Sequence, residues 1–351
     1  MSSNLVILTG ANGWLGRRLA GLLSARRFEH PALREWPRDL RLRCLILPNE
    51  SAAELSGLNE QVEVFRGDLQ NPADCQALCE GASGALLIHT AGVIHPRRVK
   101  DFYRINVEGA RNLIQAAENT GIRRLVAVSS NSPAGCNPHP DHVFDEFSLD
   151  RPYMNYGRSK LLMEQLVKDA EKRGVLETVI LRPPWFYGPD QPPRQSLFFS
   201  MIRAGKAPIV GSGDYPRSMS YIDNLCEGIM LAAVTEAARG QTYWIADRRP
   251  YTMNEVVDTI ERLLEHEFSL SVRHSRMRLP GIAGGIAQLA DAGLQSLGLY
   301  NSKIHVLSEM NKTICCSIAK AQKELGYNPR VALEEGMRRS LQWCVDKGLK
   351  I

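Results

Sequence analysis

The chain has 351 residues, of which 44% are hydrophobic and 23% charged, ordinary values for a globular protein of two domains or one enlarged α/β domain. Lys and Arg outnumber Asp and Glu by 43 to 38, and the surplus is scattered. The one tight basic cluster, Arg97-Arg98-Val99-Lys100, has no interleaved aromatics, so no nucleic-acid partner is expected. The eight cysteines show no paired C-x-x-C spacing and follow no signal-peptide pattern, which predicts reduced thiols, a cytoplasmic location and no metal site.

Short apolar runs at 5–8, 44–47, 62–65, 85–88, 125–128 and 179–181 read as strands, with helical patterns at 14–24, 106–119 and 159–173 between them. Alternating strands and helices imply right-handed crossovers, hence an α/β fold with a doubly wound parallel sheet of Rossmann type. Residues 27–40 read as an inserted loop. After Arg182 the prolines of PPWFYGP and QPPR mark loops, followed by a strand at 207–210, a helix over 221–236 and a strand at 241–245. We therefore expect a dinucleotide-binding domain over 1–182, with 218–246 returning to it, and a smaller C-terminal substrate domain formed by 183–217 and 247–351. The apolar stretch 281–299 is interrupted by Gln288, Asp291 and Gln295, too polar for a spanning helix of about 20 apolar residues. Its apolar face is suited to roof a greasy pocket, to pack on a core or to make weak peripheral contact with a membrane surface.

The segment Thr9-Gly10-Ala11-Asn12-Gly13-Trp14-Leu15-Gly16 follows the first strand and opens a helix. Glycines there permit a tight turn and let main-chain N–H groups approach a pyrophosphate at the helix N-terminus. Gly10, Asn12, Gly13, Trp14, Leu15 and Gly16 are thus candidate cofactor contacts. After the second strand comes Pro48-Asn49-Glu50, where Asn49 or Glu50 is placed to meet the ribose and acids would repel a 2′-phosphate. NAD is the expected cofactor, and Arg17 or Arg18 keeps NADP open.

Tyr156-Gly-Arg-Ser-Lys160 puts a phenol and an ammonium on one helix face at i and i+4. With 10 tyrosines and 11 lysines in the chain the pattern arises by chance roughly 0.3 times, so its weight depends on partners elsewhere. Lowering a phenol from about 10 to about 7 takes about 4 kcal/mol; Lys160 and a cationic nicotinamide are expected to supply it, leaving Tyr156 as general acid/base. Tyr153 lacks such a lysine and is expected to line the pocket or pack. At the end of the fifth strand, Ser129-Ser130-Asn131-Ser132 offers hydroxyls to hold a substrate oxygen.

The GxxGxxG spacing resembles the extended short-chain dehydrogenase/reductase superfamily. That resemblance makes Ser130, the second serine of its pair, the catalytic one, with Asn131 or Ser132 taking its place if the loop register differs. It implies that Asp68 and Leu69 grip adenine, that Ala91 and Gly92 line the cofactor, that Asn106 faces it and that Pro184 flanks the nicotinamide. The segments LIHTAGVI (87–94), LRPPWFYG (181–188), RGQTYWI (239–245) and KAQKELGYNP (320–329) are most similar to the 3β-hydroxysteroid dehydrogenase family with its sterol-carboxylate dehydrogenase relatives. This implies reversible oxidation of a secondary alcohol on an apolar, steroid-like small molecule, with Trp185 near the substrate and a homodimer formed through 101–118 and 156–172. The alternative is a nucleotide-sugar epimerase, in which Arg217 grips a diphosphate. A second alternative is a dinucleotide-sensing protein without chemistry, which would not need Ser130, Tyr156 and Lys160 together.

Overall fold

The computed structural model describes residues 4–351 except Arg27, Glu29, Glu35 and Arg38. In chain order the first elements are β1 (Leu5–Thr9), α1 (Trp14–Ala25), the short α2 (Pro31–Arg34), β2 (Arg41–Ile46), the turn α3 (Ala53–Ser56), β3 (Val62–Arg66) and α4 (Pro72–Cys79). They continue with β4 (Leu86–His89), α5 (Val99–Tyr103), which runs through a π turn at Arg104–Glu108 into α6 (Gly109–Thr120), and then β5 (Arg124–Val128). Next come α7 (Met154–Arg173), β6 (Glu177–Arg182), β7 (Trp185–Tyr187), α8 (Pro193–Arg203), β8 (Pro208–Val210), β9 (Met219–Tyr221), α9 (Ile222–Val234) and β10 (Thr242–Trp244). The chain closes with α10 (Met253–His266), β11 (Met277–Leu279), α11 (Ile282–Ser296), α12 (Ser302–Glu309), α13 (Ala319–Leu325) and α14 (Leu333–Asp346).

Seven strands form one parallel sheet in the order β10-β6-β5-β4-β1-β2-β3. The central strands β1, β4 and β5 are buried on both faces, which is why they read as largely unbroken apolar runs, whereas the edge strand β3 alternates, with Glu63 and Arg66 exposed. Period-2 alternation sends neighbouring residues into two cores: Val6, Leu8, Ile88 and Val126 pack with α1 and α9 on one side. Leu5, Ile7, Leu87 and Leu125 pack with α4, α6 and α7 on the other. β4 lies beside β1, with Val6 opposite Leu86, while β2 lies on the other side of β1. The strand order therefore reverses between β1 and β4, and the crevice beyond their carboxyl ends is where such sheets bind ligands.

The structure departs from the sequence reading in several elements. Trp185–Tyr187, expected as loop, pairs in parallel with Met219–Tyr221, because a three-residue strand gives too short a pattern to read. The expected strand near 207–210 pairs with Met277–Leu279 in a second two-stranded sheet. α7 begins five residues ahead of the expected 159, so Tyr156 lies within it. The expected inserted loop at 27–40 falls partly on the four residues outside the description; Leu33 and Trp36 from it are buried in the α1/α9 core.

α11 reverses the usual orientation of an amphipathic helix: Asp291 and Gln295 are buried while Ile282, Ile286 and Leu289 are exposed. Packing that apolar face on a core, one of the expected arrangements, is therefore excluded by the orientation observed. No helix among the described residues is long and apolar enough to cross a membrane.

Candidate active site

The β1–α1 turn comes first because it forms the floor of the crevice. Gly10 has φ 71°, and a Cβ on it would lie 2.6 Å from the backbone nitrogen of Ala91; a Cβ on Gly16 would lie 2.0 Å from the Gly10 carbonyl oxygen. Only glycine permits these approaches, so the turn is pressed against the end of β4 and its backbone is left bare toward the crevice. The Gly13 N–H donates to Gly10 O at 2.9 Å, and the side chain of Leu15 is buried behind the turn. A cradle that a Cβ would fill, at a helix N-terminus and a sheet switch point, fits the pyrophosphate of a dinucleotide.

Asn12 reaches the turn after β2, donating to Ser51 O at 2.9 Å and to Glu50 Oε2 at 3.3 Å. Glu50 also caps that turn by accepting from Leu47 N at 3.0 Å, and Asn49 stays exposed beside it. Arg66, at the end of β3, donates to Pro48 O and Glu50 O, both at 2.8 Å. Sequence reading missed it, though its position beside Ile46 in the parallel β2–β3 pair is the signal that locates it. The arginines that kept NADP open are committed elsewhere: Arg17 pairs with Glu54 at 3.0 Å and Arg18 with Asp223 at 2.5 Å and Asp190 at 3.5 Å. Trp14 is engaged away from the cradle, donating to Pro189 O at 2.6 Å and packing at a tilt against Phe186 with ring centroids 4.7 Å apart.

On the adenine side, Asp68 accepts from Gln70 N at 2.9 Å and Leu69 is buried against Gly109. Beyond β4, Ala91 and Gly92 border the crevice. Asn106 sits in the π turn with its amide fully engaged: Oδ1 accepts from Val93 N at 2.8 Å, and Nδ2 donates to Val93 O at 3.1 Å and Ser159 Oγ at 3.1 Å. It ties the strand-end loop to α7 instead of presenting a free amide. Pro184 is buried at the end of β6, next to half-buried Trp185.

Ser130, Tyr156 and Lys160 come together where β5 ends and α7 begins. The Ser130 hydroxyl is buried, 3.3 Å from Ser132 Oγ and 3.4 Å from Asn131 Oδ1. Lys160 is buried and donates to Val128 O at 2.9 Å. Burial pushes its pKa down to about 8, with the Glu164 carboxylate opposing. The protein's own groups do not lower the Tyr156 phenol; the expected lowering counted on a cationic nicotinamide together with Lys160. Burial pushes the phenol up to about 12, against a hydrogen bond with Ser130 that favours the anion; Glu309 adds to the rise and Arg194 opposes it. Among the protein's own groups desolvation of the phenol dominates, while Lys160 donates to Val128 O.

Four further polar groups face this cluster, and none was visible in local spacing because they come from distant elements. His95 Nδ1 meets Tyr300 Oη at 2.9 Å. Burial, with Arg194 and His305, lowers the His95 pKa to about 4, so the ring is neutral at pH 7. Arg194, at the start of α8, lies near enough to Tyr156 and Tyr300 to act on both, and desolvation lowers its pKa. His305 Nδ1 lies 2.7 Å from Asp291 Oδ2; burial works against its charged form, but Asp291 and Glu309 raise its pKa overall. Phe102 stands between Tyr156 and Tyr300, with ring centroids 5.8 and 5.2 Å away. Tyr153 is turned to α12, its Oη 2.7 Å from Ser308 Oγ. Arg217 donates to Glu309 O at 3.0 Å and lies 3.7 Å from its carboxylate.

The sheet order and the bare glycine cradle at its switch point define a doubly wound fold of the dinucleotide-binding kind. Residues 6–246 match the model of the NAD dependent epimerase/dehydratase family, and the chain belongs to that family of NAD-dependent enzymes. It is 49% identical over 349 residues to the Sinorhizobium fredii protein y4nL, covering 99% of this chain and 97% of that one. It is 30% identical to mouse 3 beta-hydroxysteroid dehydrogenase type 7, covering 96% of this chain and 94% of the relative. Among solved structures, UDP-glucuronic acid 4-epimerase from Bacillus cereus in complex with NAD superposes with a TM-score of 0.74 at 20% identity, covering 99% of this chain and all of that one.

Proposed function

We propose that the protein is an NAD-dependent oxidoreductase that interconverts a secondary alcohol and a ketone on an apolar, steroid-like substrate. The observation that carries the reading is the convergence of Ser130, Tyr156 and Lys160 beside the glycine cradle. Identity to the mouse 3 beta-hydroxysteroid dehydrogenase over nearly the whole chain supports the substrate class. In this reading Tyr156 Oη takes the proton of the substrate hydroxyl, or returns it in the reverse direction, while Ser130 Oγ holds the substrate oxygen. Lys160 holds the ribose and adds the positive charge that offsets the desolvation of the phenolate. Bound NAD supplies the hydride acceptor and a cationic ring. Gly10, Asn12, Gly13, Leu15 and Gly16 would hold the pyrophosphate, Asn49 the ribose, Asp68 and Leu69 the adenine, and Ala91, Gly92 and Pro184 the remainder; Asn106 positions the loop at Val93. Trp185 and Tyr153 border the substrate.

The epimerase alternative asks Arg217 to grip a diphosphate. Its guanidinium is already held by Glu309, which weighs against that role. We further infer a dinucleotide-binding unit of 1–182 with 218–246, a substrate unit of 183–217 with 247–351, and a homodimer through 101–118 and 156–172. The sheet position of β10 beside β6 supports the first, and half-buried Leu161 and Leu162 on the outer side of α7 support the last. Eight free thiols support a cytoplasmic setting.

Tyr156→Phe is the test, with NADH formation followed on hydroxysteroids and product formation on UDP-sugars in parallel. We expect turnover of hydroxysteroids by the wild type and a kcat loss of roughly 10²–10⁴-fold in the variant with NAD affinity retained. Turnover confined to UDP-sugars, or unchanged kcat in the variant, would overturn the reading.

A further inference from the structure

A helix leaves its first N–H groups without partners, and a side chain just ahead of it usually meets one of them. Among the described residues, Tyr153 at the N-cap of α7 makes no side-chain capping bond, and no acid stands in the first turn. Met154, which opens the helix, has φ 51°, a left-handed conformation that a non-glycine residue keeps only where its surroundings impose it. Tyr156 lies two residues further on, so something outside α7 must hold its first turn.

The partner comes from α11. Gln295 Oε1 accepts from Asn155 N at 3.1 Å and from Asn155 Nδ2 at 2.8 Å. Gln295 Nε2 donates to Asp291 Oδ2 at 2.9 Å, and the same oxygen lies 2.7 Å from His305 Nδ1. At the other end Tyr103 Oη donates to Asn155 Oδ1 at 2.6 Å. Asp291, Gln295 and His305 are all buried. Every bond in this chain has a fixed direction, because a carboxylate only accepts. Asp291 takes the N–H side of the Gln295 amide and thereby turns Gln295 Oε1 toward the Asn155 N–H. The inward orientation of α11 follows: residues 291 and 295 share one face at i and i+4, and that face is the one that meets α7.

The opposite side of the same turn is fixed by the loop that carries Ser130. Tyr153 N donates to Ser132 O at 3.0 Å, and Gly157 lies against the Ser132 carbonyl. The first turn of α7 is thus held between the serine loop and Gln295, and it carries Tyr156 directly after the capped Asn155. We propose that Gln295 is a positioning residue: backed by Asp291 and His305, it caps α7 from α11 and sets the placement of the Tyr156 hydroxyl relative to Ser130. The consequence for catalysis rests on the proposed dehydrogenase activity, whereas the cap itself does not.

Gln295→Leu removes the acceptor from the full chain and tests this. Amide hydrogen exchange should be at least about tenfold faster at Asn155, with the turns of α7 beyond Met163 unchanged. With a 3β-hydroxysteroid as probe, kcat should fall about 10²-fold, while NAD affinity measured by calorimetric titration stays within about twofold. Placed on top of Tyr156→Phe, Gln295→Leu should add less than about threefold, since a residue that acts through Tyr156 then has no hydroxyl left to position. A general loss of packing would multiply the two effects instead. If Gln295→Leu does not fold, Asp291→Asn takes its place: it keeps the shape but offers Gln295 a donor as well as an acceptor, and should speed exchange at Asn155 at least about threefold. Unchanged exchange at Asn155 in the variant that folds, unchanged kcat in Gln295→Leu, or multiplied losses in the double variant would overturn the positioning role. A wild type that leaves hydroxysteroids unconverted, or a Tyr156→Phe variant as active as the wild type, would refute the dehydrogenase reading alone, because exchange reads the cap without turnover.

Discussion

Gly157→Ala sets two opposed effects against each other where α7 crosses the loop that carries Ser130. In an open helix interior the change from glycine to alanine gains about 1 kcal/mol. Here the added Cβ would lie 2.5 Å from Ser132 O, 3.1 Å from Ser132 C and 3.2 Å from Pro152 C, all backbone atoms with no flexible side chain to yield. Overpacking of this kind costs about 1–3 kcal/mol, so the net change is a loss of about 0–2 kcal/mol. With about 2.1 cal/mol/K of unfolding entropy per residue over 351 residues, Tm falls by no more than about 3 °C. The functional effect should be larger, because relief requires α7 to back away from Ser132 by roughly 0.5–1 Å, carrying Tyr156 away from Ser130. A misplacement of that size can cost about 10²-fold in rate. Calorimetry and steady-state kinetics on the hydroxysteroid that the wild type turns over check the two halves together. A Tm raised by about 1 °C with kcat unchanged would refute the reasoning, since helix propensity alone would then account for the substitution.

Other substitutions probe the scaffold around the site. Arg182 donates to both oxygens of buried Glu164, at 2.6 and 2.9 Å, and to Asp150 at 2.7 Å; Arg182→Leu should cost about 3–5 kcal/mol by leaving the carboxylate buried and unpaired. Urea unfolding should show most of that restored in the Arg182→Leu/Glu164→Leu double variant, and a double variant no more stable than the single would contradict this. Gly16→Ala places a Cβ 2.0 Å from the Gly10 carbonyl, so calorimetric titration should find NAD affinity reduced at least about tenfold by the loss of the cradle; unchanged affinity would remove the cradle from the cofactor site. His89 is held near a pKa of about 3 by burial and by Lys160. Its folded pKa lies below the unfolded value of about 6.5, so the unfolded chain binds the extra proton and stability is lost as pH falls through that window. His89→Gln should flatten the acid limb by about 1.4 kcal/mol per pH unit between about pH 6 and 4. His95, lowered to about 4, adds a limb of the same sign, and Asp247, raised to about 6, opposes it in both proteins. Parallel stability curves for the variant and the wild type would rule out the His89 contribution.

Much of the sheet was legible because a strand covered on both faces needs an unbroken apolar run, and runs such as LVILT stand out between helical patterns. β7 was not, since its pairing with β9 rests on three residues that follow two prolines. α7 starts ahead of its apolar periodicity because Gln295, 140 positions away, holds Asn155 at its first turn. The site divides in the same way. The glycine turn and the Tyr156/Lys160 pair are set by spacing along a few residues, which a sequence displays directly. The partners of Lys160, Arg217, Arg17 and Arg18 are not, because a charged side chain engages whichever group the fold brings within a few ångströms.

The sequence by itself determined the strand order's raw material, the glycine cradle and the Ser/Tyr/Lys set, all of which depend on local period and spacing. Only the tertiary structure decided that the Tyr156 phenol is raised, that Arg217 is tied to Glu309, and that α11 turns its apolar stripe outward. Desolvation, ion pairing and the facing of a helix are properties of what surrounds a residue in space, and the periodicity of a segment is the same whichever way that segment faces.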